Sequence, residues 1–436
     1  MKHQSYAEFS LGLQQRLFAH RIPVIGAIEV TRRCPLECSH CYNNLPMGDQ
    51  EARRRELTFE EHCRLVDEIT EAGCLWLLYT GGEILARKDF LDIYTYAKQK
   101  GLFITLFTNG TLITPQIADY LVDWRPFAIE ITLYGRTKET YERLTGIPGS
   151  YDRCLRGIRL LTERSLPLKL KTVGVTINKH EIWAMKQFAE EELGLEFKFD
   201  SMINARIDCS QSPLAVRLTP EEIVGLDLQD PERASEWKTM QENFGRPMLP
   251  PERNEEVYHC GGGISSFAVD PEGKMTICVL SHRDTYDLRT GSFREGWDSF
   301  LFKVREKKIT RITKCTACGI KAMCTMCPAN GELEHGDPEE PVDFFCHVTH
   351  LRAHTLDFPV PPHGDCAYCK GGTRYDEVVR SAAGLKAGTN ASAGALRSPG
   401  RVLPIISEAE TASTGGCSSG GCTSCGQAAA HGKLGN

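Results

Sequence analysis

The segment Glu29-Val30-Thr31-Arg32-Arg33-Cys34-Pro35-Leu36-Glu37-Cys38-Ser39-His40-Cys41-Tyr42 decides how the rest of the chain is interpreted. It places three cysteines at the spacing C-x3-C-x2-C directly after an apolar, strand-like run at residues 24–30. A four-iron cluster normally takes four thiolates, so three closely spaced cysteines would leave one iron without a protein ligand. The compact trio therefore indicates a site that something other than protein completes.

A zinc site is the competing interpretation of the same loop. Zinc takes four ligands, and His40 stands between the second and third cysteines, where its imidazole could supply the fourth. The three cysteines could also be unrelated to one another. The loop alone leaves these alternatives open.

Length and composition restrict the class of protein. A chain of 436 residues, of which 41% are hydrophobic, can bury a sizeable core and predicts two domains and a tail. The net charge of -6 gives no basic field, so we expect no nucleic-acid partner. Apolar runs such as residues 74–79 are far shorter than the roughly 20 residues that span a bilayer, and residues 1–15 lack the apolar core of a signal peptide. These features predict a cytoplasmic protein without a membrane anchor.

The cysteine count supports that location. Nineteen cysteines would be unusual as disulfides in a reducing compartment and ordinary as metal-cluster ligands. Fifteen of them fall into tight groups. The four that stand apart are predicted to be small buried side chains: Cys63, Cys74, Cys154 and Cys209.

Residues 24–205 alternate β-rich runs with helical patterns, as a parallel α/β sheet requires. Six strands are predicted, at residues 24–31, 75–80, 102–108, 128–133, 168–177 and 195–202. Amphipathic stretches between them predict helices at 58–72, 89–100 and 180–193. Right-handed crossovers would place the carboxyl ends of all six strands at one edge, which carries the active site in barrel-like sheets.

Three short segments lie at these predicted strand ends. Thr80-Gly81-Gly82-Glu83 follows the second strand, Thr108-Asn109-Gly110 the third and Thr132-Leu133-Tyr134-Gly135 the fourth. Two glycines allow a close backbone approach, and a carboxylate suits an ammonium group. Each segment alone is typical of a strand-terminating turn. Their shared position at one edge predicts a ligand pocket.

Together with the cysteine loop, these segments resemble the radical S-adenosylmethionine (SAM) enzymes, which have a partial six-stranded (β/α) barrel. The resemblance implies that Cys34, Cys38 and Cys41 bind a [4Fe-4S] cluster whose open iron chelates S-adenosyl-L-methionine. It implies reductive cleavage of SAM to a 5'-deoxyadenosyl radical, which abstracts hydrogen from the substrate. The residues that would contact SAM are Tyr42, Gly81, Gly82, Glu83, Asn109, Thr132 and Lys171. A solvated lysine is the alternative for Lys171.

A second cysteine system follows at residues 256–356. Its seven members are Cys260, Cys278, Cys315, Cys318, Cys324, Cys327 and Cys346. Between the first two, the Pro-Glu-Gly turn at 271–273 predicts a β-hairpin that brings their thiols together. This order and spacing of cysteines resembles the SPASM extension, which carries two auxiliary four-iron clusters. In the quartet of cysteines at 315–327, the last two are separated by two residues here rather than the usual three.

The resemblance implies two interleaved ligand sets, and hence three [4Fe-4S] clusters in the chain. One auxiliary set is Cys315, Cys318, Cys324 and Cys346, and the other is Cys260, Cys278 and Cys327. Because the second set has three members, we expect either an open iron there or a fourth thiolate from Cys209. The competing interpretation is a zinc ribbon that uses the paired C-x2-C knuckles of the quartet.

The predicted organisation is therefore an N-terminal segment (1–23), a radical SAM barrel (24–205), a polar bridge (206–255), a SPASM domain (256–356) and a Cys/Gly-rich tail (357–436). The tail is too poor in apolar residues to fold alone, so we expect it to be flexible. Its cysteines could bind metal or shuttle clusters, or the tail could be a fused substrate-like peptide. They are Cys366, Cys369, Cys417, Cys422 and Cys425.

The resemblance predicts an enzyme that modifies a ribosomally made peptide or protein, by crosslinking or by side-chain oxidation. Sulfatase-type oxidation is disfavoured because Val279, rather than an aspartate base, follows Cys278. Two alternatives are biosynthesis of a small cofactor such as a tetrapyrrole or quinone, and a non-enzymatic iron-sulfur electron carrier. We expect an electron donor such as flavodoxin or ferredoxin. A separate leader-binding protein is also expected, since only about twenty residues precede the first strand.

Overall fold

The computed structural model of the protein describes residues 16–244 and 256–392. Nine strands of this part form one sheet in the order β9-β8-β7-β1-β2-β3-β4-β5-β6. They are β1 (Ile25–Glu29), β2 (Trp76–Thr80), β3 (Phe103–Thr108), β4 (Ala128–Thr132), β5 (Leu168–Val173), β6 (Phe197–Asp200), β7 (Ser266–Val269), β8 (Lys274–Thr276) and β9 (Tyr286–Asp287). The first six are the six predicted strands, and each pairs with the next in parallel.

Strands β1 to β6 have the apolar sequences expected when helices cover a parallel sheet. Ile28, Leu77, Ile104 and Leu170 are completely buried. The helices are α1 (Gln50–Arg55), α2 (Phe59–Glu71), α3 (Phe90–Gln99), α4 (Pro115–Asp123), α5 (Lys138–Thr145), α6 (Ser150–Glu163), α7 (Ile182–Gln187), α8 (Pro220–Gln229), α9 (Pro231–Phe244), α10 (Phe293–Glu295), α11 (Phe302–Arg305), α12 (Pro328–His335), α13 (Asp343–Thr355) and α14 (Tyr375–Ser392). Across residues 16–244 and 256–392, no helix has the length and apolarity needed to cross a membrane.

The helix starts follow local chemistry that is visible in the sequence. Thr58 caps α2 and Thr219 caps α8, and each forms a full capping box with the glutamate three residues later. The helix predicted at 180–193 is less regular, because α7 is preceded by a 3-10 turn at Lys179–Glu181 and continues as a π-helix at Phe188–Glu192. The predicted polar bridge contains two helices, α8 and α9.

The second cysteine system is joined to the barrel through the sheet. Strand β7 pairs in parallel with β1, so the predicted hairpin of β7 and β8 continues the barrel sheet beyond its first strand. Gly273 closes the hairpin turn with φ +82°, a conformation that favours glycine. The hairpin is therefore held by main-chain hydrogen bonds to the strand that leads into the cysteine loop.

The region after residue 356 differs from the expected flexible tail, since residues 357–374 pack against α13 and lead into α14. Tyr368, Cys366, Cys369 and Val378 are buried there. The Ala/Gly-rich composition of α14 gives too little apolar surface for independent folding, but docking on α13 supplies the missing burial. Cys417, Cys422 and Cys425 lie outside the described residues.

We predict that Gly26→Ala destabilises the junction between β1 and β7. An added Cβ would lie 2.6 Å from Cζ of Phe267 and 3.1 Å from Cδ1 of Leu77, both in the core. Overpacking of this kind costs about 1–3 kcal/mol, measured as a lower midpoint of urea denaturation. Gly48→Ala is the matched control, because its Cβ would have no neighbour within 4 Å. Equal midpoints for the two variants would contradict the prediction.

Candidate active site

The cysteine loop follows β1 at the carboxyl edge of the sheet, and the structure brings its three thiols together. Burial raises the pKa of Cys38, and the charges of Cys41 and Cys34 raise it further. Burial likewise raises the pKa of Cys34 to about 12, with smaller contributions from Glu83 and Cys41. The charges of these cysteines raise one another's pKa because thiolates repel, and a bound cation would relieve that repulsion.

A buried ion pair anchors the beginning of this loop. The Arg33 guanidinium donates to both carboxylate oxygens of Glu56, from Nε at 2.8 Å and from Nη2 at 2.9 Å. Thr31 Oγ1 donates to the same carboxylate and accepts from the Arg33 backbone N–H at 3.0 Å. Glu56 thus fixes the backbone immediately before Cys34.

Arg206 anchors the other end of the loop. Its guanidinium donates to the Cys41 carbonyl at 3.2 Å and to the Asn44 carbonyl at 3.0 Å. The neighbouring Ile207 N–H donates to the Tyr42 carbonyl at 3.0 Å. The chain after β6 therefore clamps the segment that carries the third cysteine.

The two glycines after β2 pack directly against the cysteine loop. Gly82 N–H donates to the Thr31 carbonyl at 2.7 Å, and Glu83 N–H donates to the Arg33 carbonyl at 3.0 Å. Gly81 has φ +141°, and a Cβ there would lie 2.1 Å from the Thr31 carbonyl oxygen. Glycine is therefore required at position 81 because the backbones of two loops of the protein approach each other closely there.

The Glu83 carboxylate is buried and held by neutral donors alone. It accepts hydrogen bonds from Thr108 Oγ1 at 2.7 Å, the Asn109 N–H at 2.8 Å and the Leu85 N–H at 3.2 Å. Burial raises its pKa, and no cation contributes to the shift. A buried carboxylate without a cationic partner among the described residues suits the ammonium group of a ligand.

Polar groups from other strand ends surround the cysteine sulfurs. Asn109 Nδ2 donates to Cys34 Sγ at 3.5 Å, and Tyr134 hydrogen-bonds Cys38. The His40 ring packs edge-on against Tyr134 at 5.1 Å, and burial lowers its pKa to about 4. His40 and the three cysteines do not form a compact group of metal-ligating atoms in the described part of the chain. This arrangement does not match a preformed zinc site, whose ligand atoms would lie about 3.4–3.8 Å apart.

The remaining predicted pocket residues have different surroundings. Thr132 and Lys171 are register partners on β4 and β5. Lys171 Nζ already pairs with Glu130 at 3.0 Å, and burial lowers its pKa to about 8. The Tyr42 hydroxyl donates to the buried Glu29 carboxylate at 3.0 Å.

Sequence analysis missed three residues that position the loop: Glu29, Glu56 and Arg206. Glu29 is buried at the end of β1 and also accepts a 2.6 Å hydrogen bond from Asn43 Nδ2. A charged residue at the end of an apolar strand was the available signal for Glu29. No local pattern marks Glu56 or Arg206, because each reaches the loop from a distant part of the chain.

The second cysteine system also gathers into groups. Burial raises the pKa of Cys278 to about 12, and Cys327 and Cys260 contribute next. Burial raises the pKa of Cys318, with Cys324 and Cys315 as the thiols that add to it.

Cys346 lies between the group with Cys318 and Cys324 and the later segment that carries Cys366. Hydrogen bonding to Cys366, burial and the charges of Cys366 and Cys324 all raise its pKa. Its predicted place in the set with Cys315, Cys318 and Cys324 stays a prediction.

The family model of the radical SAM superfamily matches residues 28–189, from β1 through α7. The protein is a radical SAM enzyme. Among curated proteins, this enzyme is similar to an AdoMet-dependent heme synthase of Methanosarcina barkeri, with 27% identity over 346 residues, 73% of this chain and 95% of that protein. It is also similar to a PqqA peptide cyclase of Granulibacter bethesdensis, with 32% identity over 152 residues, 35% of this chain and 40% of that protein.

Solved structures share the fold of this radical SAM enzyme. Streptococcus suis SuiB bound to S-adenosylmethionine has a TM-score of 0.56 at 16% identity, covering 79% of this chain and 82% of SuiB. The anSMEcpe protein with bound AdoMet has a TM-score of 0.56 at 13% identity, covering 83% of this chain and 100% of that one. These matches extend beyond the barrel into the cysteine-rich C-terminal half, which is consistent with the predicted SPASM domain.

We predict that Glu56→Ala disorganises the cysteine loop and removes its cluster. Breaking a buried ion pair by deleting one partner costs about 3–5 kcal/mol. We expect the reconstituted variant to hold about four fewer irons per chain than the wild type. Glu51→Ala is the control, because Glu51 pairs with arginines on the surface. Unchanged iron content in Glu56→Ala would contradict this role for Glu56.

A second prediction concerns Cys209 as a borrowed ligand. Cys209 is exposed, and its sulfur lies 3.8 Å from the Glu332 carbonyl oxygen on α12. The thiols that act on Cys278 are Cys327 and Cys260. We therefore expect Cys209→Ser to keep its iron content and cluster spectra, whereas Cys278→Ser loses iron. Loss of iron in Cys209→Ser would establish the borrowing.

Proposed function

We propose that this radical SAM enzyme modifies a ribosomally made peptide or protein, by forming a crosslink or by oxidising a side chain. The observation that carries the proposal is the second cysteine system, which the β7–β1 pairing holds beside the radical SAM barrel. Two proteins with this fold were solved with peptides: SuiB with the precursor peptide SuiA, and anSMEcpe with AdoMet and a peptide. A peptide cyclase is among the curated relatives.

The residues present fit the cofactors that this chemistry needs. Cys34, Cys38 and Cys41 would hold the SAM-binding [4Fe-4S] cluster, and the buried Glu83 carboxylate suits the SAM amino group. When bound, the cluster and SAM supply one-electron cleavage of SAM and removal of a hydrogen atom from the substrate. The two auxiliary sets would hold two further [4Fe-4S] clusters that accept electrons or bind substrate.

The chain itself provides positioning and a dry, low-dielectric site. The Arg33–Glu56 pair and the clamp from Arg206 fix the loop on both sides. Asn109 and Tyr134 donate to the sulfurs of Cys34 and Cys38, and such hydrogen bonds stabilise thiolate ligands and tune the cluster potential. No general acid or base is required for hydrogen abstraction, so no proton-transfer residue is assigned.

Partners and location belong to the same proposal. An external donor such as flavodoxin or ferredoxin would reduce the cluster, and a separate protein would bind the leader of the substrate peptide. The sixteen cysteines of the described residues form no disulfide, which fits the reducing conditions of the cytoplasm.

Synthesis of a tetrapyrrole cofactor is the second candidate function. The alignment with the Methanosarcina barkeri heme synthase spans 95% of that protein, whereas the peptide cyclase match spans 40% of its relative. The heme synthase match therefore extends well past the barrel, which is the observation that favours this candidate.

We predict that the anaerobically reconstituted enzyme binds about twelve irons per chain and releases 5'-deoxyadenosine from SAM with dithionite. The triple variant Cys34→Ala/Cys38→Ala/Cys41→Ala should lose about four irons and all deoxyadenosine formation. Cys63→Ala is the control, since Cys63 lies on α2, far along the chain from every cysteine group. Zinc in place of iron, without SAM cleavage, would overturn the assignment.

The same assay separates the two candidate substrates. Peptides encoded beside the gene, and porphyrins with and without iron, would each be added to the active enzyme. The true substrate should raise deoxyadenosine formation above the uncoupled rate and change mass by hydrogen loss or decarboxylation. A response to the porphyrin alone would reject the peptide proposal.

A further inference from the structure

Four metal-ligating side chains meet where the start of the predicted flexible tail packs against α13. They are His350 on α13 and three residues of the following loop, His363, Cys366 and Cys369. All four are buried, and their ligand atoms lie within 4.8 Å of one another. It is the one such group among residues 16–244 and 256–392, and neither the barrel nor the predicted auxiliary sets use its four members.

The separations within this group match a mononuclear tetrahedral site. Cys366 Sγ lies 3.5 Å and Cys369 Sγ 3.6 Å from His350 Nε2. Cys369 Sγ lies 3.4 Å from His363 Nδ1 and 3.9 Å from His363 Nε2. With Zn–S near 2.3 Å and Zn–N near 2.0–2.1 Å, tetrahedral ligand atoms stand about 3.4–3.8 Å apart.

A backbone hydrogen bond favours the required tautomer of His350. His350 Nδ1 is 2.7 Å from the Cys346 carbonyl oxygen, and a proton on Nδ1 leaves the lone pair of Nε2 directed to the two sulfurs. His363 Nδ1 lies 3.0 Å from the Pro361 carbonyl oxygen and 3.4 Å from Cys369 Sγ, so either of its ring nitrogens can serve as the ligand atom. Metal-ligating histidines are commonly held in this way by a backbone carbonyl.

The surrounding contacts hold the ligands in place. Tyr368, between the two cysteines, is completely buried; its ring stacks on His347 at 5.0 Å and its hydroxyl donates to Asp343 at 2.6 Å. After the second cysteine, Gly371 turns the chain with φ +91°. The C-x2-C loop is therefore seated on α13 and is not a mobile pair of thiols.

We propose that His350, His363, Cys366 and Cys369 bind one structural Zn²⁺ that fastens residues 357–374 to α13. Two nitrogen and two sulfur ligands in a compact, closed set are typical of structural zinc. A two-iron cluster would need its ligands divided between two metals, which this spacing does not provide. The site is additional to the three [4Fe-4S] clusters predicted from the sequence.

The position of the site gives it a consequence for the auxiliary set. Cys346 lies one helical turn before His350 on α13, and its sulfur is 3.9 Å from His350 Nδ1. Zinc at His350 would fix the helical turn that presents Cys346 toward Cys315, Cys318 and Cys324. It would also keep Cys366 from competing for the same cluster.

The test is metal analysis of the full-length protein purified without added iron or zinc. We expect about one zinc per chain in the wild type and its loss in Cys366→Ser/Cys369→Ser. The control Cys417→Ser/Cys422→Ser/Cys425→Ser removes the other tail cysteines and should keep the zinc. Zinc retained by the Cys366/Cys369 variant, or a wild type without zinc from zinc-replete medium, would overturn the proposal.

Zinc X-ray absorption of the wild type keeps the test valid even where the variant folds poorly. Two sulfur and two nitrogen neighbours, at about 2.3 and 2.0–2.1 Å, would support the site. A shell of sulfur alone would place the zinc on other cysteines and reject it. Limited proteolysis adds a third readout, because loss of zinc should open residues 357–374 to cleavage. A new cut elsewhere, or no new cut, would count against the attachment of these residues to α13 by zinc.

Discussion

The buried ion pair between Arg33 and Glu56 is the constraint on which the active-site arrangement depends. Burying two charges carries a desolvation cost that a bidentate contact only partly recovers, so such a pair adds little net stability. Its effect here is geometric. Glu56 also accepts a hydrogen bond from the Thr31 hydroxyl, and so fixes the backbone just before Cys34. Gly81 and Gly82 pack against that backbone because neither has a Cβ, which would lie 2.1 Å from the Thr31 carbonyl oxygen and 2.4 Å from the Arg32 carbonyl oxygen.

Strand β1 links this loop to the rest of the molecule. It pairs with β2 on one side and β7 on the other, so one strand positions both the radical SAM loop and the hairpin of the second cysteine system. Main-chain pairing fixes register as well as distance, because a one-residue slip would reverse every side chain on the strand. The cysteine loop after β1 and the hairpin between Cys260 and Cys278 are therefore joined through one sheet.

Helix α13 likewise positions metal-ligating residues, at the C-terminal end of the second cysteine system. Cys346 and His350 stand one turn apart on it, and Cys346 contacts His350 and Cys366 of the zinc group while also sensing the charge of Cys324 in the predicted auxiliary set. A single helix thereby couples the geometry of the predicted auxiliary set to the seating of residues 357–374. The exposed Cys209 contrasts with these cysteines, because its thiol donates to the Glu332 carbonyl oxygen on α12.

The sequence alone determined the six-stranded parallel core, the helix that begins after Thr58, the β7–β8 hairpin and the grouping of the cysteines. These follow from local periodicity, caps, turns and spacing, which act between neighbours along the chain. Only the tertiary structure decided the partners of Glu56, Arg206 and Lys171, the pairing of β7 with β1, and the meeting of His350 with Cys366 and Cys369. Those contacts join distant segments, and their energy comes from burial and charge pairing that no local pattern encodes. For the same reason α14, too poor in apolar residues to fold alone, was predicted to be part of a flexible tail until its docking on α13 was visible.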